Sequence, residues 1–96
     1  MDKSKIVLSY HAISRFRERS GAKYDEERII KKLFELIDKS EEAQLRPRFK
    51  VIHLLNHNFE EAEYLMTKNG WVLVIVKNEL KTIHTNQSEK WEKNVH

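Results

Sequence analysis

The hydrophobic period changes once along this chain, and the only proline, Pro47, marks the place. Before it, apolar residues recur at helical spacing; beyond it they come in alternating or nearly continuous blocks, the pattern of strands. Proline neither continues a helix nor donates to a sheet ladder, so the two regimes belong to separate elements. The chain is thereby held to an α+β fold, helices first and sheet second.

The first half resolves into two helices after a short extended entry at Ile6 to Leu8. Within "LSYHAISRFRERSG", Ser9 is a side-chain cap and Gly21 a stop, bracketing a helix over about Tyr10 to Ser20. At about 100° per residue, Ala12, Ile13 and Phe16 share one face, while His11, Arg15 and Glu18 fall within about 60° of one another on the other, with Arg19 at its edge. Asp25 caps a second helix, in which Ile29, Ile30, Leu33, Phe34, Leu36 and Ile37 keep the period to about Ser40.

In the second half, "FKVIHLLN" reads as a strand, "EAEYLMTKNGWVLVIVKN" as two strands joined at Asn69-Gly70, and "ELKTIHT" as a fourth. Asn-Gly between apolar runs is a hairpin signal because both residues tolerate positive φ. A further turn falls near Asn78-Glu79. "WVLVIV" is apolar on both faces, as a covered central strand is. The expected fold is two N-terminal helices packed on a four-stranded antiparallel sheet. It forms one domain over residues 1–96, with its core at about 6–86 and a short helix or tail at 87–96. Trp91 in that last stretch either closes over the core or anchors a partner.

With 96 residues and no cysteine, one core must stand on packing, without disulfides or thiolate metal sites. Gly21 and Gly70 are the only glycines, which rules out a glycine-rich phosphate loop. No segment approaches the roughly 20 apolar residues of a membrane span, and the opening residues lack a secretion signal, so a cytoplasmic location without membrane contact is expected. His53 and His57 are spaced for zinc on a helix, but their segment reads as a strand, and neither metal nor cofactor is expected.

Charge is uneven although the net is only +3: residues 1–50 hold 13 Lys+Arg against 9 Asp+Glu, the rest 5 against 6, and all six arginines lie before Phe49. Guanidinium forks match phosphate oxygens, while the same charges also suit a solvated helix face. Metal-free cleavage of RNA by attack of the ribose 2′-OH needs a base, an acid and a cation over the phosphate. His11 and Arg15 supply two of these on one helix face. The last strand can supply a further proton carrier. Its alternation puts Thr82 and His84 on one face and Lys81, Ile83 and Thr85 on the other, so the face that meets the first helix decides between His84 and the Lys81/Thr85 pair. Tyr10, Phe16, Phe34, Phe49, Tyr64 and Trp71 lie on or beside apolar faces and read as core. Thr82, Lys81 and Tyr64 are the candidate substrate contacts.

The order "HAISRFRER", hairpin-bearing sheet, "TIHT" resembles a class of small phage and toxin-system domains. Those domains open with a helical H-A-x-x-R-x-x-x-R pattern and close with a strand ending I-x-T-x-[YH]. They are similar in turn to the compact ribonuclease toxins of the barnase, colicin and RelE groups. The resemblance implies helices before a four-stranded antiparallel sheet and a metal-independent endoribonuclease, acting as a toxin or phage effector in the cytoplasm. It puts the family histidine on His11 as general base or acid and the phosphate clamp on Arg15 and Arg19. His84 or Thr85 would be the partner on the sheet. RNA is the implied substrate, and an antitoxin or host target the implied protein partner. Two other readings stand beside this one. A non-catalytic phage or prophage protein would bind and inhibit a host protein through the arginine face or Trp91, and a plain nucleic-acid-binding module would show salt-sensitive affinity without cleavage.

Overall fold

Ser9 and Gly21 do what their chemistry suggests. In a computed structural model, which describes residues 2–21, 23, 25–47, 49, 62–85 and 89–93, the Ser9 hydroxyl accepts the Ala12 amide at 3.0 Å and Gly21 ends the helix at φ 64°. The first helix, α1, spans Tyr10–Ser20 and buries Ala12, Ile13 and Phe16. The second, α2, spans Glu26–Lys39; Asp25 accepts the Arg28 amide at its start, and Ile29, Leu33 and Ile37 are buried. At its far end the Lys3 ammonium donates to the Ser40 carbonyl at 2.7 Å and the Asp38 carbonyl at 3.1 Å, a cation on the negative end of the helix dipole.

The sheet is larger than four strands and is mixed. Among the described residues it has six, β1 (Val7–Leu8), β2 (Glu41–Leu45), β3 (Glu63–Met66), β4 (Val72–Val76), β5 (Glu79–His84) and β6 (Trp91–Lys93), in the order β1-β5-β4-β3-β2-β6. β1 runs parallel to β5, and every other pair is antiparallel. Three strands lie outside the four expected. The extended entry joins the sheet as β1. "EEAQL" before the proline is β2, its alternation carried only by buried Ala43 and Leu45. Trp91–Lys93, expected in a short helix or tail, is β6 on the outer edge of β2. The strand expected from Phe49 to Asn56 lies outside the described residues except at Phe49, whose backbone is helical and whose amide donates to the Arg46 carbonyl at 2.9 Å.

Two apolar layers sandwich the sheet. On the helix side, Ala12, Ile13, Phe16, Ile29, Leu33 and Ile37 pack on Leu65, Leu73, Ile75, Leu80 and Ile83. On the other side, Ala43, Leu45, Met66, Val72, Val74 and Trp91 form a second cluster, against which Phe49, Ala62 and Tyr64 pack. β4 contributes to both layers, and all five of its residues are buried, as its continuous apolar run implies. Each fully buried Leu or Ile contributes about 1.5–3 kcal/mol of transfer free energy.

The two tight hairpins exchange the roles expected of them. At Asn69-Gly70 only the glycine has positive φ, 81°. The Gly70 amide donates to the Thr67 carbonyl at 3.1 Å and the Thr67 amide to the Trp71 carbonyl at 3.0 Å, so the connection is a three-residue loop with a left-handed glycine. The two-residue turn is instead Lys77-Asn78, between the paired Val76 and Glu79, with φ of 51° and 64°. It is a primed turn built without glycine.

One irregularity bears on the site. β4 pairs Val74 with Thr82 and Ile75 with Leu80, so Lys81 is an extra residue, a bulge in β5. Leu80 and Ile83, three apart, therefore both face the helices. Strict alternation through Lys81, as read from the sequence, does not hold.

Candidate functional site

α1 is pinned against β5 at this bulge. The Ser9 amide donates to the Leu80 carbonyl at 3.2 Å and its hydroxyl to the Lys81 carbonyl at 3.3 Å, so the capping residue also ties the helix start to the strand. β1 pairs with β5 only at Glu79 and Leu80. Past that point, one flank of α1 follows the outer edge of β5.

That flank carries His11, Arg15 and Arg19 at steps of four residues. Each step advances about 6 Å along the helix and turns about 40°, so the three form one slanted row. Arg15 Nε donates to His11 Nε2 at 3.4 Å, a long bond between two neighbouring side chains of the row. Arg19 Nη1 donates to Thr85 Oγ1 at 3.3 Å, which brings the residue just beyond β5 to the end of the row. Arg15 also lies 3.6 Å from the Glu18 carboxylate. Both side chains are substantially exposed, and such a pair is worth only a few tenths of a kcal/mol, ~0.2–0.5. The row is thus a solvent-facing strip of two guanidiniums and one imidazole, with the Glu18 carboxylate beside it.

The other residues singled out from the sequence are elsewhere. Thr82 opposes Val74 and His84 opposes Val72, and both of those valines belong to the second cluster. His84 stacks on Trp91 with ring centres 6.3 Å apart and planes at 20°, and Tyr64 packs on the same indole at 5.6 Å. The sheet therefore separates Tyr64, Thr82 and His84 from His11. The face that meets the first helix is that of Ile83 and Thr85, so Thr85, not His84, reaches the row. Lys81 occupies the bulge, with its ammonium 2.9 Å from the Glu79 carboxylate. Trp91 is buried and closes over the second cluster. Burial beside it pushes the Tyr64 phenol above its ordinary range.

Tyr10 and Phe34 correct a different expectation. Both read as core, yet Tyr10 is 81% exposed and Phe34 44%. The first was legible in principle: Tyr10 lies about 60° outside Ile13, the nearest residue of the buried arc. His53 and His57 lie outside the described residues. Among the described ones, no group of three or more His, Cys, Asp or Glu is arranged to hold a metal ion, and no helix is long and apolar enough to cross a membrane.

No family model matches the chain, and comparison with curated proteins and with solved structures yields no match.

Proposed function

We propose that the protein binds RNA through the His11, Arg15, Arg19 and Thr85 row and cleaves it without a metal. The 2′-OH gives up its proton and attacks the adjacent phosphate, and the bond to the 5′-oxygen of the next nucleotide breaks as that oxygen takes up a proton, leaving a 2′,3′-cyclic phosphate. The observation that carries this reading is the row itself: two guanidiniums and an imidazole at regular steps, joined at one end by a hydroxyl from just beyond β5. Arg15 and Arg19 hold the phosphate oxygens and offset the charge that builds on them during transfer. His11 supplies the imidazole of the row as the proton carrier, and its Nε2 lies toward Arg15, where the phosphate would sit. Thr85 orients Arg19. The resemblance to the phage and toxin-type domains gives His11, Arg15 and Arg19 the same roles.

His84 is left out of this chemistry, because a side chain beyond the sheet cannot share a phosphate with His11. One imidazole then performs one proton transfer, and the exposed strip leaves the other to water. A single positioned proton carrier contributes on the order of 10²–10⁴ in rate, so modest turnover is expected. The test is incubation of labelled RNA in EDTA with the wild type, His11→Ala and the double variant Arg15→Ala/Arg19→Ala, each checked by thermal melting. Wild-type cleavage that both variants lose without a change in melting supports the reading. An inert wild type, or a His11→Ala protein that cleaves as well as the parent, overturns it.

A further inference from the structure

The row describes how a backbone is held, but phosphates alone do not distinguish RNA from any other polyanion. Of the three large apolar side chains exposed among the described residues, two lie within four residues of His11: Val7 at 61% and Tyr10 at 81%. Tyr10 is the first residue of α1 and Val7 belongs to the edge strand just before it. The position is not arbitrary with respect to the row. Passing from Arg19 to Arg15 to His11, the row climbs toward the helix start and turns about 40° at each step. One more step of the same kind passes about 4.5 Å beyond the helix start, at an angle within about 60° of Tyr10. Helical side chains lean toward the N-terminus, so this ring extends beyond the first turn, over ground that no other residue of α1 covers.

We propose that Tyr10, with exposed Val7 on the strand that precedes it, is a stacking platform for an unpaired base, and that the ligand of this face is single-stranded RNA. The inference rests on the reading of the row as a phosphate-binding strip. A strand laid along Arg19, Arg15 and His11 passes off the end of the cationic strip onto an aromatic ring, and bases of any identity stack on such a ring. A duplex keeps its bases stacked inside and offers nothing to it. The occupant is chosen by complementarity: an apolar ring continuous with a strip of cations fits a ligand that is anionic along one side and flat and apolar along the other.

The experiment measures binding, so that cleavage does not interfere. Fluorescence anisotropy with a short 2′-O-methylated single strand, its duplex and inorganic polyphosphate is recorded for wild type, Tyr10→Ala and Tyr10→Trp over a range of salt. Tyr10→Ala should weaken the single strand by about tenfold or more while leaving the duplex and polyphosphate unchanged, and Tyr10→Trp should restore the affinity. The salt slope of the single strand should not move, since no phosphate contact is lost. Equal loss on all three probes, or none on the single strand, overturns the stacking role; if Arg15→Ala/Arg19→Ala still weakens all three, the phosphate strip stands without it. A wild type that binds no probe overturns both. A self-association that Tyr10→Ala dissolves overturns the stacking role alone and would assign the patch to a second copy of the chain.

Discussion

Glu18 is the anion paired with the cationic row, and replacing it by glutamine isolates its effect. Its carboxylate lies 3.6 Å from the Arg15 guanidinium. Two unit charges at that distance interact by about 1 kcal/mol in bulk water. A phosphate seated on Arg15 would sit roughly 6 Å from Glu18, where the repulsion is about 0.7 kcal/mol. Glu18→Gln removes that repulsion and also frees Arg15 from a competing partner worth some tenths of a kcal/mol, about 0.3. Together these predict a gain near 1 kcal/mol, or about fivefold tighter binding of an RNA backbone at low salt. The helix should barely register the change: an Arg-to-Glu pair three residues apart, with the acid on the C-terminal side, is the less favourable orientation for support. Anisotropy titrations with an uncleavable RNA strand at rising ionic strength provide the assay. The gain should fade as the screening length contracts from about 10 Å at 0.1 M salt to about 3 Å at 1 M. Unchanged or weaker binding at low salt would refute the reasoning, because phosphate would then not be sitting on Arg15. A gain that persists at high salt would refute its electrostatic cause.

Two further outcomes test the fold and its pH dependence. Lys77→Asn should stabilise the protein by about 0.5–1 kcal/mol and raise Tm by roughly 2–8 °C, since asparagine adopts the left-handed conformation at φ 51° more readily than lysine; a lower Tm would show that the turn is not of the primed type. Tyr64→Phe should flatten the alkaline limb of the stability profile. Burial raises the folded-state phenol above its ordinary 10.0, so the unfolded chain ionises first and stability, intact below pH 10.0, falls as pH climbs past it. Chemical denaturation at a series of alkaline pH values should show the wild type losing more stability than the variant, and parallel curves would place Tyr64 in a more solvated setting.

Residues with strong local chemistry are legible in the sequence alone. Ser9, Gly21 and Asp25 announce their helix ends, the buried face of α1 follows from its period, and the His11-Arg15-Arg19 row follows from the same wheel. What escapes is decided by pairing across the sheet. β2 shows too little apolar alternation to stand out, because Glu41 and Gln44 face solvent and only Ala43 and Leu45 are buried. β1 has two residues, and its parallel partner lies about seventy positions away. The Asn-Gly signal locates its hairpin but not the turn geometry, whereas Lys77-Asn78 adopts the primed geometry with residues that hardly advertise it. The bulge at Lys81 has no local signature, yet it determines how the end of β5 faces α1.

That extra residue acts as a phase slip in the pleat. Upstream of it the strand keeps one beat, set by the pairing of Val76 with Glu79; downstream it keeps another, set by Val74 with Thr82. The two halves of a single strand are thus tuned independently, the first to seal the core with Leu80, the second to bring Ile83 inward and carry Thr85 to the arginines. Substitutions at Lys81 leave both beats intact, since its ammonium pairs with Glu79 at the surface and its side chain is no part of the core. Loss of the residue altogether would set Leu80 directly before Thr82, the regular alternation that Ile75 and Val74 on β4 already match, so the bulge heals and Ile83 stays inward. The position is permissive toward chemistry and toward deletion, whereas one residue gained or lost between Thr82 and Thr85 would turn Thr85 away from the row.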